Sequence, residues 1–116
     1  MYSIVSTAIV HGIDSIPVQV EADVSNGMPY FEMVGFLGAE VKEAKERVRT
    51  ALRNAGYLLP AKRITVNLSP AGVRKSGSAF DLPITVALMT ALEIVPKENT
   101  ADILVVGEIG LNGQVQ

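Results

Sequence analysis

The chain has 116 residues with 48% hydrophobic and 19% charged content, which is enough for one domain with a buried core. It contains no cysteine, which excludes disulfides, thiolate zinc sites and cysteine nucleophiles, and its formal net charge is only −2. The N-terminus lacks the pattern of a signal peptide, and the longest apolar stretch, residues 82–95, is too short to span a bilayer, so we expect a soluble cytoplasmic domain without membrane contact.

The first 35 residues predict three β-strands. Residues 2–11 are rich in β-branched side chains, and residues 17–24 alternate between apolar and polar, as in a strand with one buried face. Residues 30–35 are predicted as the third strand, whereas residues 12–15 and 25–27 have the composition of turns. Because the turns are short, we predict an N-terminal antiparallel meander.

A helix and a further strand follow. Over residues 39–55, apolar side chains recur at three- and four-residue steps and form one stripe, and Gly56 can close the helix just beyond its C-cap. Residues 63–68 alternate again, which predicts a strand with Ile64, Val66 and Leu68 facing inward. The loop at 69–77 then leads into the next helix.

That second helix is predicted as the central element of the domain. It is apolar on nearly all faces from Leu82 onward, which is typical of a buried helix, and we expect it to begin near residues 79–82 and to end at Pro96. Ser78 and Asp81 have the spacing of a capping box, so both are assigned as structural caps. Alternatively, Asp81 is itself the N-cap.

The last part of the chain predicts an apolar strand at residues 103–107 and a hairpin turn of the Asn-Gly type at residues 111–114. The second arm of that hairpin would extend beyond residue 116. We therefore expect residues 1–116 to be a single domain that forms the N-terminal fragment of a longer protein, cut just after the turn.

Five segments carry a family resemblance. Residues 67–84 (N-L-S-P-A-G-V-R-K-S-G-S-A-F-D-L-P-I) and 12–29 (G-I-D-S-I-P-V-Q-V-E-A-D-V-S-N-G-M-P) resemble the magnesium-chelatase-related AAA+ ATPases of the ComM/YifB family at their N-terminal domain. The patterns F-x-x-V-G (31–35), E-x-x-x-R-V-x-x-A-L-x-N-x-G (43–56) and G-E-I-G-L-N-G-Q-V (107–115) agree as well. Together they cover nearly the whole chain.

The resemblance implies an α+β fold of the Lon-protease-domain type (ribosomal-protein-S-five domain-2-like), with a mixed sheet of four to five strands and two main helices packed on one face. It also implies that an AAA+ ATPase module follows this domain, binds ATP and Mg²⁺, and forms hexamers with neighbouring subunits. The family is linked to branch migration on DNA during natural transformation. Chelatase activity, from which the family takes its name, is a less favoured expectation.

Basic residues are concentrated in the middle of the chain. Nine of the ten Lys and Arg residues lie between residues 42 and 75 with only two acids, so this window carries +7 and the remainder −9. Such asymmetry indicates contact with a polyanion or an acidic partner, or simply a solvated face. The residues predicted to contact DNA, or alternatively a neighbouring subunit or the protein's own ATPase module, are Lys42, Lys45, Arg49, Arg53, Lys62, Arg63, Arg74 and Lys75. With only Tyr57 among them as an aromatic, we expect little base stacking and no sequence preference.

Catalytic chemistry is not expected within these residues. Against the Lon-type Ser–Lys pattern, Ala79 rather than Ser78 occupies the nucleophile position, and the partner lysine would lie beyond residue 116. Lys75-Ser76 lacks the glycine spacing of a phosphate-binding loop, so nucleotide would bind the following module. His11 is the only histidine, and we expect it to be structural or solvent-facing; Glu108 is expected to be a turn residue.

The sequence thus predicts a non-catalytic N-terminal domain of a magnesium-chelatase-like AAA+ ATPase, with an assembly or regulatory role and sequence-nonspecific engagement of DNA. The alternatives are an autonomous DNA-binding module, a Ser–Lys protease-like enzyme and a component of an ATP-dependent magnesium chelatase.

Overall fold

The computed structural model describes residues 1–11, 13–101 and 103–115, without the side chains of residues 10 and 11. Its elements are β1 (Tyr2–His11), β2 (Asp14–Ser25), β3 (Tyr30–Val34), α1 (Ala39–Lys42), α2 (Ala44–Asn54), β4 (Arg63–Ser69), α3 (Asp81–Ala91) and a short 3₁₀ turn (Lys97–Asn99). No helix within these ranges is both long and apolar enough to cross a membrane. The expected α+β class is confirmed, whereas the Lon-protease type stays a prediction.

The four strands form one mixed sheet in the order β1-β2-β4-β3. β2 pairs antiparallel with both β1 and β4, whereas β3 pairs parallel with β4. The predicted meander of the first three strands is therefore wrong, because β4 lies between β2 and β3. The chain leaves β3, passes through α1 and α2 and returns as β4, and such a helical crossover joins parallel strands.

One face of the sheet carries the core. Val18, Val20 and Ala22 of β2 are fully buried, as are Val66 and Leu68 of β4. They form one apolar cluster with residues of α2 and α3, as expected for two helices on one side of the sheet. Side chains on the opposite face are polar or partly exposed. The alternation in the sequence predicted this face correctly.

The first helix is divided in two at Glu43, which the prediction of one continuous helix missed. The C-terminal end of α2, closed by Gly56, is as predicted. Gly56 has a φ of 96°, its amide donates to Arg53 O at 3.1 Å, and the amide of Tyr57 donates to Leu52 O at 2.8 Å. This pair of hydrogen bonds is a Schellman motif.

α3 begins at Asp81, within the predicted range of residues 79–82, but its predicted cap and its predicted end need correction. Its N-cap is Phe80, which makes no side-chain cap hydrogen bond, so the capping box of Ser78 and Asp81 does not form. The helix ends at Ala91 rather than at Pro96, because Glu93 adopts a left-handed conformation (φ 63°) and completes a second Schellman motif.

The predicted strand at 103–107 is also wrong. Leu104 makes a single parallel bridge with Ser6, through the amide of Val105 donating to Ser6 O at 2.9 Å. The segment then leaves β1, because Gly107 O accepts from the amide of Leu82 at the start of α3. A turn is present close to the predicted residues 111–114 but one residue earlier, since the amide of Gly113 donates to Gly110 O at 2.8 Å and closes residues 110–113.

Candidate functional site

Three of the predicted basic residues lie on one side of α2. Lys45, Arg49 and Arg53 are spaced four residues apart, so they follow one another along the helix surface. The buried stripe of α2, which includes Val48 and Leu52, faces the core instead. Helical periodicity therefore places a row of positive charge outward, as predicted.

These cations line a groove of about 610 Å³. Lys62, in the loop between α2 and β4, joins them, and Glu46 is the one acid of the lining. The rest of the lining is apolar and consists of Pro29, Tyr30, Phe31, Leu58, Leu59, Pro60 and Ile64. Four cations and one acid give the groove a net positive charge, and such a concave surface attracts anions.

Two contacts orient Arg49 within the groove. Its guanidinium lies 5.6 Å from the centre of the Phe31 ring, within the range of a cation–π contact. It also lies 3.8 Å from the carboxylate of Glu46, one turn earlier on α2. The side chain of Arg49 is still 47% exposed beside these partners, so its positive charge stays available to a ligand.

Three other predicted contact residues lie outside this groove. Lys42 is exposed on α1, and Arg74 is exposed in the loop before α3. Arg63 contacts Glu32 at 3.7 Å across the β3–β4 pair. The eight predicted cations thus do not form one surface, and four of them converge.

Lys75 is the one predicted contact residue whose burial contradicts the prediction. Its side chain is fully buried, and its ammonium donates to Gly35 O at 2.8 Å and to Pro70 O. Burial lowers the pKa of Lys75 from its ordinary 10.5. Lys75 therefore fastens the loop before α3 to the end of β3 and cannot reach a ligand in solution.

Ser78 and Asp81 form other contacts than the predicted caps. The hydroxyl of Ser78 donates to Glu108 at 2.6 Å. The Asp81 carboxylate accepts two hydrogen bonds from Arg47, of 2.6 and 2.9 Å, and these raise the pKa of Arg47.

Among the described residues, no group of three or more metal-binding side chains occurs, and the side chain of His11 lies outside them.

The apolar wall of the groove was missed by the sequence analysis. Phe31 lies in β3, well before the basic residues in the chain, and it meets α2 only in the folded domain, where Arg49 lies over its ring. One signal was present in the sequence. The sequence places three apolar residues, Leu58, Leu59 and Pro60, outside any periodic pattern. In the structure, Leu58 is 78% exposed.

Comparison with known proteins identifies the family. The family model described as "Subunit ChlI of Mg-chelatase" matches residues 20–116. The chain is 45% identical over 116 residues to "Uncharacterized protein YifB" of Salmonella typhimurium, covering 96% of this chain, and 43% identical over 116 residues to "Competence protein ComM" of Haemophilus influenzae, again covering 96%. The chain belongs to the magnesium-chelatase-related ComM/YifB family.

The chain corresponds to only part of these relatives. It spans 23% of the length of the Salmonella YifB and of the Haemophilus ComM, and 22% of the YifB of Escherichia coli, to which it is 43% identical over 114 residues. The family resemblance inferred from the sequence motifs is thereby confirmed. The activities of the full-length relatives are not assigned to this chain by these matches.

Proposed function

We propose that this chain is the non-catalytic N-terminal domain of a magnesium-chelatase-like AAA+ ATPase, and that it engages DNA through the groove without sequence preference. The observation that carries the proposal is the convergence of Lys45, Arg49, Arg53 and Lys62 on one concave surface. Phosphate contacts from Lys and Arg supply nonspecific affinity for DNA, and they need no base-specific group.

Membership of the family supports a wider role. An ATPase module in the same polypeptide would bind ATP and Mg²⁺ and would supply the motor, and neighbouring subunits would assemble around it, most simply as a hexamer. The name of the Haemophilus relative supports a role in competence. In that setting the domain holds DNA in the cytoplasm while the motor acts on it.

DNA binding is tested with a charge reversal in the groove. We expect Lys45→Glu/Arg49→Glu to lose retention on a duplex of random sequence at low salt, because two of four phosphate contacts become repulsive. The matched control is Lys42→Glu/Arg74→Glu, which changes the charge equally at exposed positions outside the groove. Equal loss in both variants would mean that net charge, and not the groove, determines binding.

A second observation supports the assembly role. Ile103, Leu104, Val106, Leu111 and Val115 are each at least 50% exposed. A concentration of exposed apolar side chains in one segment is typical of a protein-contacting surface. We expect Leu104→Ser/Val106→Ser to weaken co-elution of this domain with the separately expressed ATPase module, whereas Leu58→Ser should not; co-elution unchanged in both would contradict this contact.

A further inference from the structure

Exposed apolar side chains are concentrated along the edge strand β3. Phe31 and Met33 pack toward the core, so Tyr30, Glu32 and Val34 alternate onto the outer face of the sheet, which is the face opposite the helices. Tyr30 is 56% and Val34 is 39% exposed. The parallel register places Arg63 of β4 beside Tyr30 on the same outer face.

Phe36, two residues beyond β3, adds an aromatic ring that is 56% exposed. Its φ of 55° is left-handed, which is rare for a bulky side chain. The conformation is enforced, because the amide of Lys75 donates to Phe36 O at 3.0 Å and the amide of Gly38 donates to Lys75 O at 2.7 Å. Strained residues that their surroundings hold in place cluster at functional positions, and exposed aromatic side chains are frequent anchors of protein interfaces.

The charges of this region form one balanced pair. Glu32 and Arg63 lie 3.7 Å apart, and both side chains are partly exposed. One charge of each sign gives no net attraction to a polyanion, so the region differs from the cationic groove. Asp23, a further acid of the outer face, lies on β2, which β4 separates from β3.

A second copy of the chain complements such a pair. Across a two-fold axis, Glu32 of each copy can meet Arg63 of the other, and the apolar side chains meet one another. An isologous contact requires this self-complementarity, in which one residue contacts a second and that second residue contacts the first.

We propose that the β3 surface, formed by Tyr30, Glu32, Val34, Phe36 and Arg63, is a two-fold contact between two copies of this chain. Phe36 is the apolar anchor, and two Glu32–Arg63 ion pairs are exchanged between the copies. The contact goes beyond the proposed function, because it uses neither the cations of α2 nor the apolar segment at 103–115. Tyr30 borders the groove, so the experiment changes other residues of the surface.

Sedimentation velocity of the purified chain at increasing concentration should show a monomer–dimer equilibrium. Phe36→Asn should weaken the dimer at least about tenfold, as expected for an interface anchor. Because Asn adopts the left-handed conformation readily, this variant should melt no lower than the wild type, which separates loss of the contact from loss of the fold. Leu58→Ser, which changes an exposed apolar residue of the groove, is the matched control and should dimerise like the wild type.

Charge reversal tests the two-fold arrangement. Glu32→Arg and Arg63→Glu should each be monomeric alone, since like charges then meet in both exchanged pairs. An equimolar mixture of the two variants should form dimers, because opposite charges meet again in both pairs.

Dimers in the wild type, monomers in each reversed variant and dimers in their mixture support the proposal. A wild type that stays monomeric overturns it, and so does assembly beyond a dimer, because an isologous contact closes at two copies. Dimers of unchanged affinity in Phe36→Asn, or a mixture that remains monomeric, would exclude this surface. DNA engagement by the groove is measured separately and stands or falls independently of these outcomes.

Discussion

The guanidinium of Arg47 on α2 holds the carboxylate of Asp81 at the start of α3 through two hydrogen bonds, of 2.6 and 2.9 Å. The Asp81 side chain is only 2% exposed and that of Arg47 28%. Nη2 of Arg47, which donates one of these bonds, also donates to Glu40 O at 2.7 Å, and this ties α1 to the same site. This contact therefore holds α2, the helix that carries Lys45, Arg49 and Arg53, against the start of α3.

Removal of Arg47 tests this ion pair. We expect Arg47→Ala to lower the free energy of unfolding by about 3 kcal/mol, because the buried carboxylate of Asp81 loses its charged partner. Glu46→Ala is the control, since it removes an exposed ion pair of 3.8 Å and should cost less than about 1 kcal/mol. Urea unfolding of both variants measures the difference; equal costs would show that Arg47 contributes no more than a surface charge.

The double variant Arg47→Met/Asp81→Leu extends this test. Replacing both members of a buried ion pair by apolar residues removes the uncompensated charge. We expect the double variant to be more stable than Arg47→Ala in the same urea titration. A double variant that is less stable than Arg47→Ala would show that the hydrogen bonds to Asp81, rather than its unpaired charge, dominate the loss.

Lys75 gives the protein a specific pH dependence. Because burial lowers the pKa of its ammonium from 10.5 in the folded state, the folded chain releases this proton at a lower pH than the unfolded chain. Between the two pKa values the unfolded state binds more protons, so Lys75 makes stability rise with pH up to about 10.5. The stability of the wild type relative to Lys75→Met should therefore rise from pH 8 to pH 10.5; parallel pH profiles of the two proteins would contradict this.

Gly35 is required by a close approach of two backbones. It has a φ of 119°, and an added Cβ would lie 2.1 Å from Leu68 O. We expect Gly35→Ala to destabilise the domain by about 3 kcal/mol or more in thermal unfolding, from strain and steric overlap together. Gly72→Ala is the control, because nothing lies within 4 Å of its added Cβ, and it should be neutral or slightly stabilising.

Glu93 occupies a position where glycine is preferred. It follows the C-cap of α3 with a φ of 63°, a left-handed conformation that costs a non-glycine residue about 1 kcal/mol. Glu93→Gly should therefore raise the melting temperature. The reciprocal change, Gly56→Ala at the equivalent position of α2, should lower it, since Gly56 has a φ of 96°. Opposite shifts in the two variants are the expected result, and shifts of the same sign would exclude a conformational cause.

Much of the local structure could be predicted from the sequence, because periodicity specifies which side chains share a face. Alternation located β2 and β4 and their buried face, and three- and four-residue steps located the buried stripe of α2. Periodicity carries no information about which strands are neighbours. The insertion of β4 between β2 and β3 therefore required the structure, and so did the position of Phe31 in the lining of the groove.

The burial of Lys75 could not be predicted for a related reason. A lysine in a loop beside Arg74 is ordinarily solvated, and its two acceptors are backbone carbonyls of Gly35 and Pro70, which any residue supplies. Likewise, the Ser78–Asp81 spacing fits a capping box, but Arg47 from another helix binds the carboxylate instead. Long-range contacts of this kind leave no local pattern.

The salt dependence of DNA binding tests the central claim most directly. With four phosphate contacts in the groove, the logarithm of the association constant for a duplex should fall with the logarithm of salt concentration at a slope of about −3.6. Arg53→Gln should make that slope shallower by about 0.9, whereas Lys42→Gln, outside the groove, should leave it unchanged. A slope near zero in the wild type, or the same change in both variants, would contradict a phosphate-binding groove.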